Sequence, residues 1–167
     1  MIRTWVVPAS TNLPELTFNI REPPLTGDNL GLKTWGTAFA IVQKLEILGK
    51  EYFSHLLHPR NNTAAPSLAT ERSSAKVLEL GSGTGLVGIA AGAIWGAEII
   101  LTDLPEIKEN LLVNIDRNRA LVEAMGGSVV GEVLDWNDGN GLDGHASTQF
   151  EVSWGDLETF VAFLTTY

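Results

Sequence analysis

One stretch of this chain leaves few folds open. Val77-Leu78-Glu79-Leu80 is a short apolar run that ends in Gly81-Ser82-Gly83-Thr84-Gly85 and continues as Leu86-Val87-Gly88. A strand, a glycine turn and a small-residue helix start make a βα unit whose loop lets main chain lie against a nucleotide-like ligand with no Cβ in the way. The glycine spacing selects among ligands. A dinucleotide fingerprint is Gly-x-Gly-x-x-Gly, whereas the residue three after Gly83 is Leu86, and Glu79 stands two residues before the loop. A dinucleotide lays its anionic pyrophosphate on the helix N-terminus. S-adenosylmethionine carries an ammonium, a carboxylate, a sulfonium and an adenosine but no phosphate, so Glu79 beside the loop is compatible with it. The run Gly81, Ser82, Gly83, Gly85 therefore points to S-adenosylmethionine and away from a nicotinamide dinucleotide. An ordinary glycine turn closing a βα unit is the plainer alternative.

A second signal agrees. Glu98-Ile99-Ile100-Leu101-Thr102-Asp103 reads as another short apolar strand ending in a carboxylate, with Asp103 20 residues beyond Gly83. That is the ribose-binding spacing, and a carboxylate there accepts both ribose hydroxyls. Asp103 also reads as a helix N-cap, with Pro105 and Glu106 opening the helix that follows. The two roles are compatible.

Composition excludes several function classes. The 167 residues carry 11 Lys and Arg against 20 Asp and Glu, a formal net charge of −9, which argues against nucleic-acid binding through phosphate neutralisation. An acidic surface suits a basic partner such as a lysine-bearing protein. There is no cysteine, so the sequence offers neither disulfides nor thiolate chemistry. His55, His58 and His145 sit in polar segments without metal-ligand spacing, and no metal is expected. No apolar run reaches the roughly 18 residues of a membrane span, and the N-terminal residues lack a signal-peptide pattern, so the expected compartment is the cytoplasm or nucleus.

Strands alternating with helices predict an α/β chain with a Rossmann-like, doubly wound, mostly parallel sheet and helices on both faces. Residues 1–36 read as an N-terminal arm with one half-buried strand, Leu16-Thr17-Phe18-Asn19-Ile20, among Pro8, Pro14, Pro23 and Pro24. Residues 37–167 read as the α/β domain. Ala38, Ile41, Val42, Leu45 and Leu48 repeat at helical spacing over 37–53, and 57–74, rich in Pro, Asn, Ser and Thr, read as a mobile loop. The core is expected as strand 76–80, helix 86–95, strand 97–102, helix 105–121, strand 128–133, strand 150–154 and a helix through 156–165. The stripe Asn110, Asn114, Asn118 falls on one helix face and is assigned to solvent.

Taken together, Leu78–Gly88 with Thr102-Asp103-Leu104 resembles the seven-β-strand methyltransferases, and more narrowly the family-16 protein-lysine methyltransferases. Gly31-Leu32-Lys33-Thr34-Trp35-Gly36-Thr37-Ala38 is similar to the segment of that family whose Trp contacts the cofactor, and Leu134-Asp135-Trp136 to its segment beside the adenine. The resemblance covers about residues 15–155. It implies S-adenosylmethionine as cofactor, held by Trp35, Glu79, Gly81, Ser82, Gly83, Gly85, Asp103, Leu104, Asp135 and Trp136. It also implies a protein substrate, with translation elongation factors among the family's targets. Trp35 and Trp136 have core burial as their alternative, and Asp135 could equally open the Asp135–Gly139 turn.

The C-terminus departs from that pattern. Where the family places an acidic residue and, three positions on, an aromatic, this chain has Asp156 and Thr159, and eleven residues follow Asp156. The sequence therefore reads as truncated, with C-terminal strands missing and a sheet edge left open to pairing. Asp156 is the one candidate catalytic residue. The expected function is S-adenosylmethionine-dependent N-methylation of a protein lysine; the alternative is an inactive cofactor-binding or protein-interaction module of the same fold.

Overall fold

The computed structural model describes residues 1–24, 30–57, 76–135 and 160–164. It opens with an antiparallel hairpin, β1 (Ile2–Val7) and β2 (Leu16–Arg21), in which Trp5 lies opposite Phe18 and Val7 opposite Leu16. Strand β2 alternates as expected. Leu16, Phe18 and Ile20 are buried, while Thr17 points out. Strand β1 has no counterpart in the sequence reading, because the apolar and polar residues of Ile2-Arg3-Thr4-Trp5-Val6-Val7 do not alternate, although its exposure does and Val7 is buried.

The helix expected over 37–53 is broken into α1 (Gly36–Val42), α2 (Leu45–Ile47) and a wide π-type turn at Leu48–Tyr52, followed by α3 (Ser54–Leu57). Packing explains the break. Gly49 lies against the Trp95 indole, where a Cβ would come 2.5 Å from Nε1. That indole donates to the Leu45 carbonyl at 2.8 Å and takes the edge of Phe53 at 5.9 Å between centroids. Regular helical turns give way here to the seating of one tryptophan.

The expected α/β core follows: β3 (Lys76–Leu80), α4 (Leu86–Trp95), β4 (Glu98–Asp103), α5 (Pro105–Ala124) and β5 (Ser128–Val133). With β6 (Phe160–Leu164) they form a parallel sheet of order β5-β4-β3-β6, registered Val77 to Ile99 and Ile99 to Val129. The steps β3 to β4 to β5 run one way along the sheet, so right-handed crossovers place α4 and α5 on the same face. Val77, Glu79, Ile99, Leu101 and Val129 point into that layer. Helix α4 is buried almost all round, because the sheet lies on one side and α1 and β2 on the other. Its glycines set the spacing: a Cβ on Gly92 would come 2.9 Å from Val129.

Two further expectations fail. Of the span 156–165, expected as a helix, the described residues Phe160–Leu164 form β6, parallel to β3. Phe160-Val161-Ala162-Phe163-Leu164 is an unbroken apolar run rich in strand formers, and periodicity alone does not separate such a run from a buried helix. The asparagine stripe of α5 does not face solvent either: Asn110, Asn114 and Asn118 are buried against β2. The Asn118 amide takes the Asn19 N–H at 2.9 Å and donates to the Asn19 carbonyl at 3.1 Å. The Asn114 amide does the same for Arg21, at 2.7 and 3.2 Å, and Asn110 adds a donor to the Arg21 carbonyl at 3.2 Å. Two residues of strand rise about 6.8 Å and four of helix about 6 Å, so asparagines at i and i+4 match every second residue of β2. The helix thus pairs with the strand edge. The strand expected at 150–154 and the loop beyond Leu57 lie outside the described residues.

Candidate active site

The loop between β3 and α4 is built by backbone that only glycine adopts at ease. Gly83 and Gly85 have φ of +56° and +80°. Space is closed around both, since a Cβ on Gly83 would come 3.0 Å from the Gly31 carbonyl and one on Gly85 2.6 Å from Leu111. Hydrogen bonds to the end of β4 anchor the loop at Ser82 and Gly83. The Ser82 amide donates to the Thr102 carbonyl at 3.0 Å, and the Ser82 hydroxyl accepts from the Thr102 amide at 3.1 Å. Asp103 accepts from the Gly83 amide at 2.6 Å and, through its other oxygen, from the Leu104 amide at 2.7 Å.

Above the loop lies a cavity of about 420 Å³, within the roughly 300–1,000 Å³ of small-molecule sites. One wall is Gly81, Ser82, Gly83 and Thr84, and the opposite wall is the segment from Gly31 through Ala38. A hydroxyl pair, Thr34 to Thr84 at 2.8 Å and buried, joins the two walls. Trp35 stands at the mouth with 47 % of its surface exposed and the Lys33 ammonium 5.8 Å from its ring.

Glu79 belongs to the cavity wall and is 1 % exposed. Burial pushes its carboxyl up to about 8, with the Asp103 charge adding to the rise. The Gly88 amide opposes this, yet stops short of a full hydrogen bond, and neither carboxyl oxygen has a partner. Glu79 lies against the first turn of α4: a Cβ on Gly88 would collide with its Oε2. At neutral pH this carboxyl keeps its proton, and a ligand cation brought against it would draw it toward the ionised form, whereas the pyrophosphate of a dinucleotide would push it the other way. These residues therefore fit S-adenosylmethionine better than a dinucleotide.

Of the residues singled out from sequence, the cavity brings together Trp35, Glu79, Gly81, Ser82 and Gly83. Gly85 starts α4 beneath the loop. Asp103 sits behind the loop, and Leu104, not Asp103, occupies the N-cap of α5, with Pro105 at the first helical position. Asp103, Leu104 and Asp135 do not border the cavity. Trp136 and Asp156 lie outside the described residues. Sequence reasoning missed Thr34 and Thr84, whose hydroxyls meet across 50 positions; only their places inside two quoted motifs marked them. Among the described residues there is no cluster of three or more metal-ligating side chains, and no helix is long and apolar enough to cross a membrane.

Comparison with known proteins agrees with this geometry. The model of the lysine methyltransferase family, methyltransferase family 16, matches residues 13–152. Protein-lysine N-methyltransferase rrg1 of Schizosaccharomyces pombe is 38 % identical over 117 residues, covering 70 % of this chain and 32 % of its own length. Protein-lysine N-methyltransferase EFM2 of Saccharomyces cerevisiae is 40 % identical over 137 residues, 77 % of this chain and 28 % of its own. Protein-lysine methyltransferase METTL21E of Mus musculus is 32 % identical over 122 residues, 71 % of this chain and 42 % of its own. The chain thus spans about a third of the length of the two yeast relatives. A match across most of the chain, on a sheet whose glycine loop opens onto a cavity of cofactor size, has one meaning: the chain belongs to the family-16 lysine methyltransferases.

Proposed function

We propose that this chain forms the cofactor-holding part of a protein-lysine N-methyltransferase that uses S-adenosylmethionine. The observation that carries the reading is the cavity between the glycine loop and the Thr34–Trp35 segment, with Glu79 set against the helix N-terminus. When bound, S-adenosylmethionine supplies a methyl group open to in-line displacement by a neutral lysine amine. The chain's own residues do the positioning. Gly81, Ser82 and Gly83 present bare main chain to the ligand, and Trp35 offers an indole face at the mouth. Asp103 holds the Gly83 amide; on the family resemblance we assign it to the ribose hydroxyls, and Leu104, Asp135 and Trp136 to the adenine. Glu79 faces the cationic end. Asp156 is the acidic residue we place at the substrate lysine, and alignment of amine with methyl provides most of the catalysis. A translation elongation factor is the protein substrate we propose, on the family resemblance, with the cytoplasm as the compartment.

Titration calorimetry with S-adenosylhomocysteine, and with NAD in parallel, tests the reading. One-to-one binding of the first alone is expected. Trp35→Ala should weaken it by about tenfold, the loss of an aromatic face worth roughly 1 kcal/mol or slightly more. Absence of binding, or equal binding of NAD, overturns the assignment.

A further inference from the structure

Three asparagines that a sequence reading leaves on a solvated face are buried, and one of them touches the cofactor loop. Asn118 exchanges hydrogen bonds with Asn19 of β2 and donates to the Asn114 carbonyl at 2.8 Å. Asn114, fully buried, does more. Its Oδ1 takes the Arg21 N–H at 2.7 Å, and its Nδ2 donates both to the Arg21 carbonyl at 3.2 Å and to the Thr84 carbonyl at 3.0 Å. Thr84 stands between Gly83 and Gly85, and its hydroxyl meets Thr34 across the cavity. One side-chain amide therefore ties the N-terminal hairpin to the glycine loop.

We propose that Asn114 is a positioning residue for the cofactor: it fixes the Thr84 carbonyl to the docked hairpin, so that the Thr84 end of the loop holds its binding shape only while the hairpin is seated. The inference rests on the cofactor reading above. The loop has reason to need the tie. The β4 bonds anchor Ser82 and Gly83, whereas Thr84, flanked by Gly83 and Gly85 at positive φ, takes its carbonyl bond from Asn114. Asn110 and Asn118 hold the same hairpin without reaching the loop, which separates seating the hairpin from shaping the site.

Asn118→Asp and Asn114→Asp make the comparison. Each keeps the acceptor for a β2 amide and removes the donor, but only the second withdraws a donor from Thr84. Both are expected to lower the urea midpoint. Asn114→Asp should weaken S-adenosylhomocysteine binding by at least about tenfold, the worth of one buried hydrogen bond, and Asn118→Asp by less than about threefold. The amide resonances of Gly83 and Gly85 should move in Asn114→Asp and stay in place in Asn118→Asp. Asn114→Ser, which removes the bridge without adding charge, runs alongside so that a variant that fails to fold does not end the comparison. Equal losses of affinity in the two ladder variants, or unchanged affinity in the folded Asn114 variants, overturn the proposal. Failure of the unaltered chain to bind would instead refute the cofactor assignment.

Discussion

Glu79 makes stability depend on pH in an unusual direction. Its carboxyl rises from an ordinary 4.5 to about 8 in the folded chain, chiefly through burial. Between those values the unfolded chain has lost the proton that the native chain keeps. The native state then binds more protons than the unfolded one, and stability falls as pH rises across that window. Most carboxyls with depressed values act in the opposite sense. The size follows from about 1.4 kcal/mol per unit of pH: from pH 5 to pH 7 the contribution of Glu79 declines by roughly 2–3 kcal/mol. That is a large part of the 5–15 kcal/mol available to a domain. Glu79→Gln removes the titration and leaves the Asp103 charge, the Gly88 amide and the packing of Leu101 in place. Urea unfolding of the chain and of the variant at half-unit steps from pH 5 to pH 8 isolates the Glu79 contribution as the difference between two curves. The difference should widen with pH in favour of the variant, by about 2–3 kcal/mol between pH 5 and pH 7. Parallel curves would refute the argument, since they would mean that Glu79 titrates alike in both states.

Two further outcomes test the packing that frames the site. Gly88→Ala forces a Cβ onto Leu101 and the Glu79 carboxyl; the urea midpoint should fall by the equivalent of about 1–3 kcal/mol with an unchanged slope, and an unaltered midpoint would mean that α4 is free to move away from the sheet. Trp95→Phe loses the bond to the Leu45 carbonyl and part of the contact with Gly49. It should cost about 2–3 kcal/mol in the same assay, and a loss below about 0.5 kcal/mol would show that the indole does not organise the 45–57 segment.

The parts of the fold that could be read in advance are those whose sequence pattern has one cheap physical solution. The glycine run after Val77–Leu80 allows little besides a strand-to-helix turn, and Asp103 ends the next strand at the spacing that brings it to the Gly83 amide. Where two solutions share one pattern, the reading failed. Asparagines at every fourth position look the same whether they face water or a strand edge, and only the place of β2 decides. Phe160–Leu164 is apolar enough for a helix or a strand, and the vacancy beside β3 settles it. The break after α1 needed knowledge of where Trp95 sits, 50 positions from Leu45. The acidic character of the site was visible in Glu79, but its shifted titration comes from burial against the first turn of α4, which only the fold creates.

The asparagine ladder also sets a timetable. Asn19 and Asn118 are 99 positions apart, and Arg21 and Asn114 are 93 apart. During synthesis the hairpin leaves the ribosome long before the helix that closes its edge exists. At about 5–20 residues per second, β2 waits roughly 5–20 s with its outer amides and carbonyls unpaired. An unpaired strand edge is a template for any other strand nearby. The open edge therefore outlasts the synthesis of the cofactor loop and closes only when α5 arrives, and slow translation through residues 22–118 would prolong that exposure.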